Sequence, residues 1–276
     1  DYTLGADIDM QAALQASHTD TNTDRYSGMW GPKSFDPIGD YNASFTGTFD
    51  GLGHVIKNLT ITKPLDEDGF QKPTGLFGAA DGATIQNVGL TNVNISGGIT
   101  GEEDPEGVTG GLAGYIYNTY IKSSFVTGEV RGEDNVGGLV GYVDNSSVKN
   151  SYSTAGVYGK KSSKTVGGLI GYFDRTGTDF DGDIGIFHSY AAGPGNADTK
   201  LLVGTFGKEV THDPKMGFYP EFVPKNLDRY IKVGFDISAD GNDDSVWRIY
   251  EGQSAPLLRV FMKKVNVTGQ AVTREY

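Results

Sequence analysis

The sequence predicts an all-β chain wound as a right-handed parallel β-helix (a β-solenoid), with irregular capping segments at both ends. Three observations predict it. Glycine makes up 41 of 276 residues, about 15% of the chain, against a usual share of about 7%. A short glycine-framed phrase recurs along the middle of the chain. Short alternating apolar and polar runs follow each copy, as half-buried strands do.

The phrase reads Gly75-Leu76-Phe77-Gly78, Gly111-Leu112-Ala113-Gly114-Tyr115, Gly138-Leu139-Val140-Gly141-Tyr142 and Gly168-Leu169-Ile170-Gly171-Tyr172, with a weaker copy at Val203-Gly204-Thr205-Phe206-Gly207. Its leucines are spaced by 36, 27 and 30 residues. Fixed strands with variable turns give such irregularity. The second element is Ile85-Gln86-Asn87-Val88, Ile121 to Val126, Val148 to Ser153 and Ile186 to Ala191. A third, such as Val93-Asn94-Ile95 or Gly128-Glu129-Val130, closes most coils. A propeller blade would need four strands over about 40 to 50 residues, which these repeats cannot hold. In a stacked coil the leucines point inward, and the glycines permit tight corners or positive φ. Tyr115, Tyr142 and Tyr172 recur at one position and form a ladder. That ladder is either corner packing or a ligand-binding strip for sugar.

The predicted organisation is one β-helix over 1–262. Residues 1–73 hold the N-terminal coils and an insertion around Gln15 to Lys33. Residues 74–207 hold the repeat coils. Residues 208–262 hold a side insertion and a closing segment, with Val246 to Val260 closing the stack. Solenoid ends need such covers, because open coils offer unpaired edges. Residues 263–276 are a linker or the start of a following surface module. The opening Asp1-Tyr2-Thr3-Leu4 starts mid-pattern, as in a piece of a longer chain.

The net charge of −12 repels phosphate backbones, which argues against a nucleic-acid partner. No run of 18 apolar residues is present, so no membrane-inserted helix is expected. There is no cysteine, which excludes disulfides and thiol nucleophiles. His18, His54, His188 and His212 lack metal-ligand spacing, and His54 reads as a turn or capping residue. Serine-nucleophile elbows and phosphate loops are absent. Two acidic stretches stand out. Asp179, Asp181 and Asp183 alternate as calcium ligands do, and so do Asp240, Asn242 and Asp244. The first lacks the glycine and the glutamate of a full calcium loop and the second lacks the glycine, and a plain solvated turn is the favoured reading of both. The same stretches could supply the carboxylate pair of a glycosidase, but Arg131 and Arg175 are isolated, and no enzyme activity is expected. No cofactor is expected apart from calcium.

The Gly-Gly-Leu-Val-Gly-Tyr phrases resemble the GLUG repeats of bacterial surface proteins. The block around Phe45-Thr46-Gly47-Thr48-Phe49-Asp50-Gly51-Leu52-Gly53-His54 is similar to the region that precedes them. Val246-Trp247-Arg248-Ile249-Tyr250-Glu251-Gly252 is similar to their close. The resemblance covers residues 1 to about 260. Its hosts include filamentous-haemagglutinin-like adhesins of the two-partner-secretion type, so it implies a secreted or bacterial cell-surface chain. The implied role is an adhesin segment that presents or spaces a surface for cell–cell, host or biofilm-matrix attachment. The implied partner is a host or matrix glycan or a surface protein, and the isolated domain is expected to be monomeric. Two other readings are a β-helix polysaccharide lyase or glycoside hydrolase, and a purely structural spacer.

Overall fold

The computed structural model describes residues 1–11, 30–31, 34–62, 73–97, 107–160, 165–176, 183–193, 202–207, 226–240, 244–250, 253–267 and 270–274. Among the described residues the chain is mostly β-strand, with little helix, and its main body is a stack of parallel coils. A five-stranded sheet runs through Phe77–Asp81, Ala113–Tyr117, Val140–Asp144, Ile170–Asp174 and Val203–Phe206. A three-stranded sheet precedes it in each coil, at Thr109–Gly110, Val136–Gly137 and Val166–Gly167. A twelve-stranded sheet forms the rest of the wall, and includes Thr48–Lys57, Thr84–Ser96 and Phe125–Arg131.

Each strand pairs in parallel with its counterpart one coil away. Ala113 lies beside Val140, and Val140 beside Ile170. Such pairing puts like over like about 4.8 Å apart, so apolar columns fill the interior. One column is Phe77, Ala113, Val140, Ile170 and Val203. Another is Ile85, Ile121, Val148 and Ile186, and a third is Ile61, Ile95, Val130 and Val157. All are buried. Leu76, Leu112, Leu139 and Leu169 are buried too, as the phrase predicts, and so is Leu202. Each larger side chain gains roughly 1.5–3 kcal/mol over exposure.

The corners follow a second rule. Asn118 and Asn145 have φ of 47° and 46°, in the left-handed region. At the next corner Asn87, Ser123, Asn150 and His188 have φ of 52°, 47°, 49° and 47°. Asparagine is the non-glycine residue that tolerates this region best. A buried hydroxyl follows most of these residues. Ser124, Ser151 and Ser189 each donate to the carbonyl two residues earlier. Each also accepts from the coil before: Ser124 N–H donates to Ser151 Oγ at 3.2 Å, and Ser151 N–H to Ser189 Oγ at 3.1 Å. The hydroxyls thereby satisfy corner amides that would otherwise be buried and unpaired.

The phrase glycines work differently from the expectation of positive φ. None of them lies in the left-handed region. They are needed for close backbone approach: a Cβ on Gly137 would fall onto the Val140 carbonyl, and one on Gly141 would lie 2.6 Å from Thr109 N.

The described residues of 226–261 lie along the flank of the stack. They comprise a helix at Leu227–Lys232, three short strands and a helical turn at Arg259–Phe261. Phe125, Tyr152 and Tyr190 point outward from successive coils, stacked at 5.0 Å with interplanar angles of 5° and 2°. Tyr230, Phe235, Ile237, Trp247, Ile249, Leu258 and Phe261 cover them as a second core. Tyr190 Oη donates to Pro256 O at 2.6 Å, and Phe261 packs edge-on against Phe125 at 4.7 Å. The phrase from Val246 to Val260, expected to close the stack, thus spans it lengthwise. Left bare, a continuous aromatic column would be a large exposed apolar patch. At the C-terminus Lys263–Val267 pairs antiparallel with Gln270–Arg274. Of the insertion expected around Gln15 to Lys33, only 30–31 are described; they pair antiparallel with Ser34–Phe35.

Candidate functional site, a tyrosine strip with an acidic edge

The five-stranded sheet turns one column outward: Ala79, Tyr115, Tyr142, Tyr172 and Thr205. Side chains two residues apart share a face of a strand. The neighbouring outward column is therefore Asp81, Tyr117, Asp144 and Asp174. The parallel register aligns the three tyrosines that the sequence singles out. Ring centroids are 5.5 Å apart from Tyr115 to Tyr142, and 4.9 Å from Tyr142 to Tyr172. The rings are tilted by 49° and 35°, and each is partly exposed.

A fourth ring extends the row. Tyr41 meets Tyr115 edge-on at 5.6 Å and is 51% exposed. It sits on a turn between Ile38 and Phe45, which bridge to Phe77 and Ala80. Asp40 Oδ1 fixes that turn by accepting from the N–H groups of Asn42 and Ala43, both at 2.9 Å. Tyr41 escapes sequence reasoning because it stands outside any repeat phrase. Only the Asp-Tyr-Asn-Ala-Ser turn composition around it carries a signal.

The carboxylates differ in access. Asp144 is only 5% exposed, and accepts from Thr176 N–H at 2.9 Å and from Thr176 Oγ1 at 2.5 Å. Asp174 accepts from Arg175 N–H at 2.8 Å and from the Tyr142 phenol at 3.4 Å. Asp81 is exposed. Burial, then the Asp174 and Asp144 charges, push the Tyr142 phenol well above the usual tyrosine range, and the same causes raise Tyr172. Both rings therefore stay neutral at ordinary pH and keep their O–H. The strip thus offers partly exposed rings, neutral hydroxyls and carboxylate acceptors.

The acidic-loop candidates are less well placed. Asp179, Asp181 and Asn242 lie outside the described residues. Asp183, Asp240 and Asp244 are described and exposed. Among the described residues no three His, Cys, Asp or Glu gather where a metal could be held. His54 Nδ1 lies 3.1 Å from Asp7 Oδ1, and His188 packs on Phe235 at a corner. His18 and His212 lie outside the described residues. Among the described residues no helix is long and apolar enough to cross a membrane.

Residues 132–158 match the GLUG motif. They span one coil, from Val136–Gly137 to Gly156–Tyr158. A stretch of 101 residues, 35% of the chain, is 38% identical to Halomucin of Haloquadratum walsbyi. That stretch is 1% of Halomucin's length. A candidate immunoglobulin A1 protease of Bacteroides ovatus aligns over 70% of this chain and 60% of its own, with 22% identity and a TM-score of 0.42.

Proposed function

We propose that this chain is a GLUG-repeat segment of a surface-associated or secreted protein that presents the tyrosine strip to an extended glycan. The GLUG motif and the likeness to Halomucin support a surface role. An adhesin of the filamentous-haemagglutinin-like kind is the parent we favour, and its coils are taken to wind right-handed, as parallel crossovers do.

The observation that carries the reading is the row of Tyr41, Tyr115, Tyr142 and Tyr172 along the helix axis, at 4.9 to 5.6 Å per step. A pyranose unit is about as long as one such step, so each ring can meet one sugar. An extended peptide repeats its side chains on one face about every 6.6 Å, which runs out of step with the rings. The site is also a sheet face and offers no strand edge for peptide addition.

The test is a glycan-array screen of the purified chain and of Tyr142→Ala, with and without calcium. Binding to linear glycans is expected, weakened about tenfold in the variant. Silence across neutral, amino and acidic glycans would leave a spacer. Loss of binding on chelation would turn attention to the acidic loops.

One observation favours a second reading, a glycoside hydrolase: Asp144 and Asp174 lie on adjacent rungs beside the aromatic row. Against it, Asp144 is buried and held through both oxygens by Thr176. Release of reducing ends from a bound glycan, abolished by Asp174→Asn, would establish hydrolysis and overturn the binding-only reading.

A further inference from the structure

We propose that the tyrosine strip selects linear glycans carrying free amino groups, such as de-N-acetylated glucosamine chains, over their N-acetylated and acidic counterparts. The proposal rests on the glycan reading above and names its ligand class.

The column of Asp81, Tyr117, Asp144 and Asp174 runs parallel to the strip, two residues along each strand, and is acidic on three of its four rungs. In an extended β-1,4-linked chain laid along the rings, successive sugars turn over, so an ammonium falls beside that column on every second rung. Asp81 and the partly exposed Asp174 lie three rungs apart, so either one accepts from such an ammonium according to the register of the chain. Asp144 lies behind them, and although its oxygens are taken by Thr176 its charge still favours cations. An ammonium also gains from the face of a tyrosine ring. Arg175 is the cation next to Asp174 along the chain, and it is exposed. The net charge of −12 adds a repulsive field against uronate or sulfated chains. A basic peptide would share the charge term but would be out of step with the rings.

The experiment is calorimetric titration at about pH 5.5, where carboxylates are ionised and sugar amines are protonated. The probes are glucosamine hexamer, N-acetylglucosamine hexamer, hexagalacturonate and hexalysine. The proteins are the full chain, Tyr142→Ala, and the double variant Asp81→Asn with Asp174→Asn. Asp144 is left alone because it holds Thr176. The glucosamine hexamer should bind about tenfold more tightly than its acetylated form, and that ratio should shrink as salt is raised. The double variant should bring the ratio close to one. Equal binding of the two hexamers, a preference that survives the double variant, or hexalysine binding as tight as glucosamine hexamer would overturn the proposal. In those cases a loss in Tyr142→Ala would still uphold the strip. Should no hexamer bind, or Tyr142→Ala bind them unchanged, the glycan reading itself falls.

Discussion

Single residues at the corners set much of the local energetics. The Ser151 hydroxyl is fully buried; it donates to Lys149 O and accepts from Ser124 N–H. Ser151→Ala strands that amide, so urea denaturation should show a loss of about 1–3 kcal/mol. Ser123 takes the left-handed position that Asn87 and Asn150 occupy on other coils. Ser123→Asn should stabilise by about 0.5 kcal/mol, because asparagine bears that backbone with less strain; no gain in the urea midpoint would disprove this. Asp50 belongs to the same scale. Burial disfavours its charge, but hydrogen bonds from Leu52 N–H, Asn87 and Gln86 outweigh burial and hold the carboxyl below its ordinary value. A depressed carboxylate stabilises above the unfolded pKa of about 3.9, and the benefit is lost as pH falls through the folded value. Asp50→Asn should therefore flatten the acid limb of a melting-temperature profile.

Among elements, the flanking segment 226–261 is the most testable. It covers the Phe125, Tyr152 and Tyr190 column through Trp247, Phe235 and Phe261. Trp247 is fully buried, its ring 5.8 Å from Tyr190, and its Nε1 donates to Asn150 Oδ1 at 3.4 Å. Trp247→Ala should cost roughly 3–5 kcal/mol and expose the column to a hydrophobic dye; unchanged stability would show that the segment only rests on the stack. Burial, with the neighbouring Tyr152 and Tyr230, raises the Tyr190 phenol well above its usual value. A raised tyrosine contributes stability below the unfolded pKa of about 10, and that contribution is lost as pH rises beyond it. Tyr190→Phe should be less stable at neutral pH by about 1 kcal/mol, through loss of the bond to Pro256 O. It should also lose less stability than the parent chain above about pH 10. Equal alkaline slopes would contradict the assignment.

At the scale of the molecule, each coil touches mainly its neighbours, so the stack behaves as a one-dimensional array. The flanking segment adds a longer tie, because it touches both Phe125 and Tyr190, two coils apart. Unfolding should therefore be cooperative across those coils in the parent chain, and should broaden in Trp247→Ala as the tie is lost; a transition of the same width in both would argue against the tie. The charge of −12 acts on the whole stack. Raising salt from low to moderate levels should raise the melting temperature by screening self-repulsion.

The sequence by itself determined the coil. The Gly-Leu-x-Gly phrase placed the leucines inward, and the recurrence of Tyr115, Tyr142 and Tyr172 made a ladder inevitable once coils stack in parallel. These signals were legible because a solenoid repeats one local pattern, and parallel register turns repetition directly into columns. Tertiary structure alone decided what touches those columns. Phe125, Tyr152 and Tyr190 recur as plainly as the other tyrosines, yet one column is covered by a distant segment and the other faces outward. Tyr41 joins the strip from a turn with no repeat signature. The phrase glycines proved to serve backbone approach between coils, while asparagines took the left-handed corners. In each case the deciding quantity was the proximity of residues far apart in the chain, and residue spacing within one repeat carries no record of it.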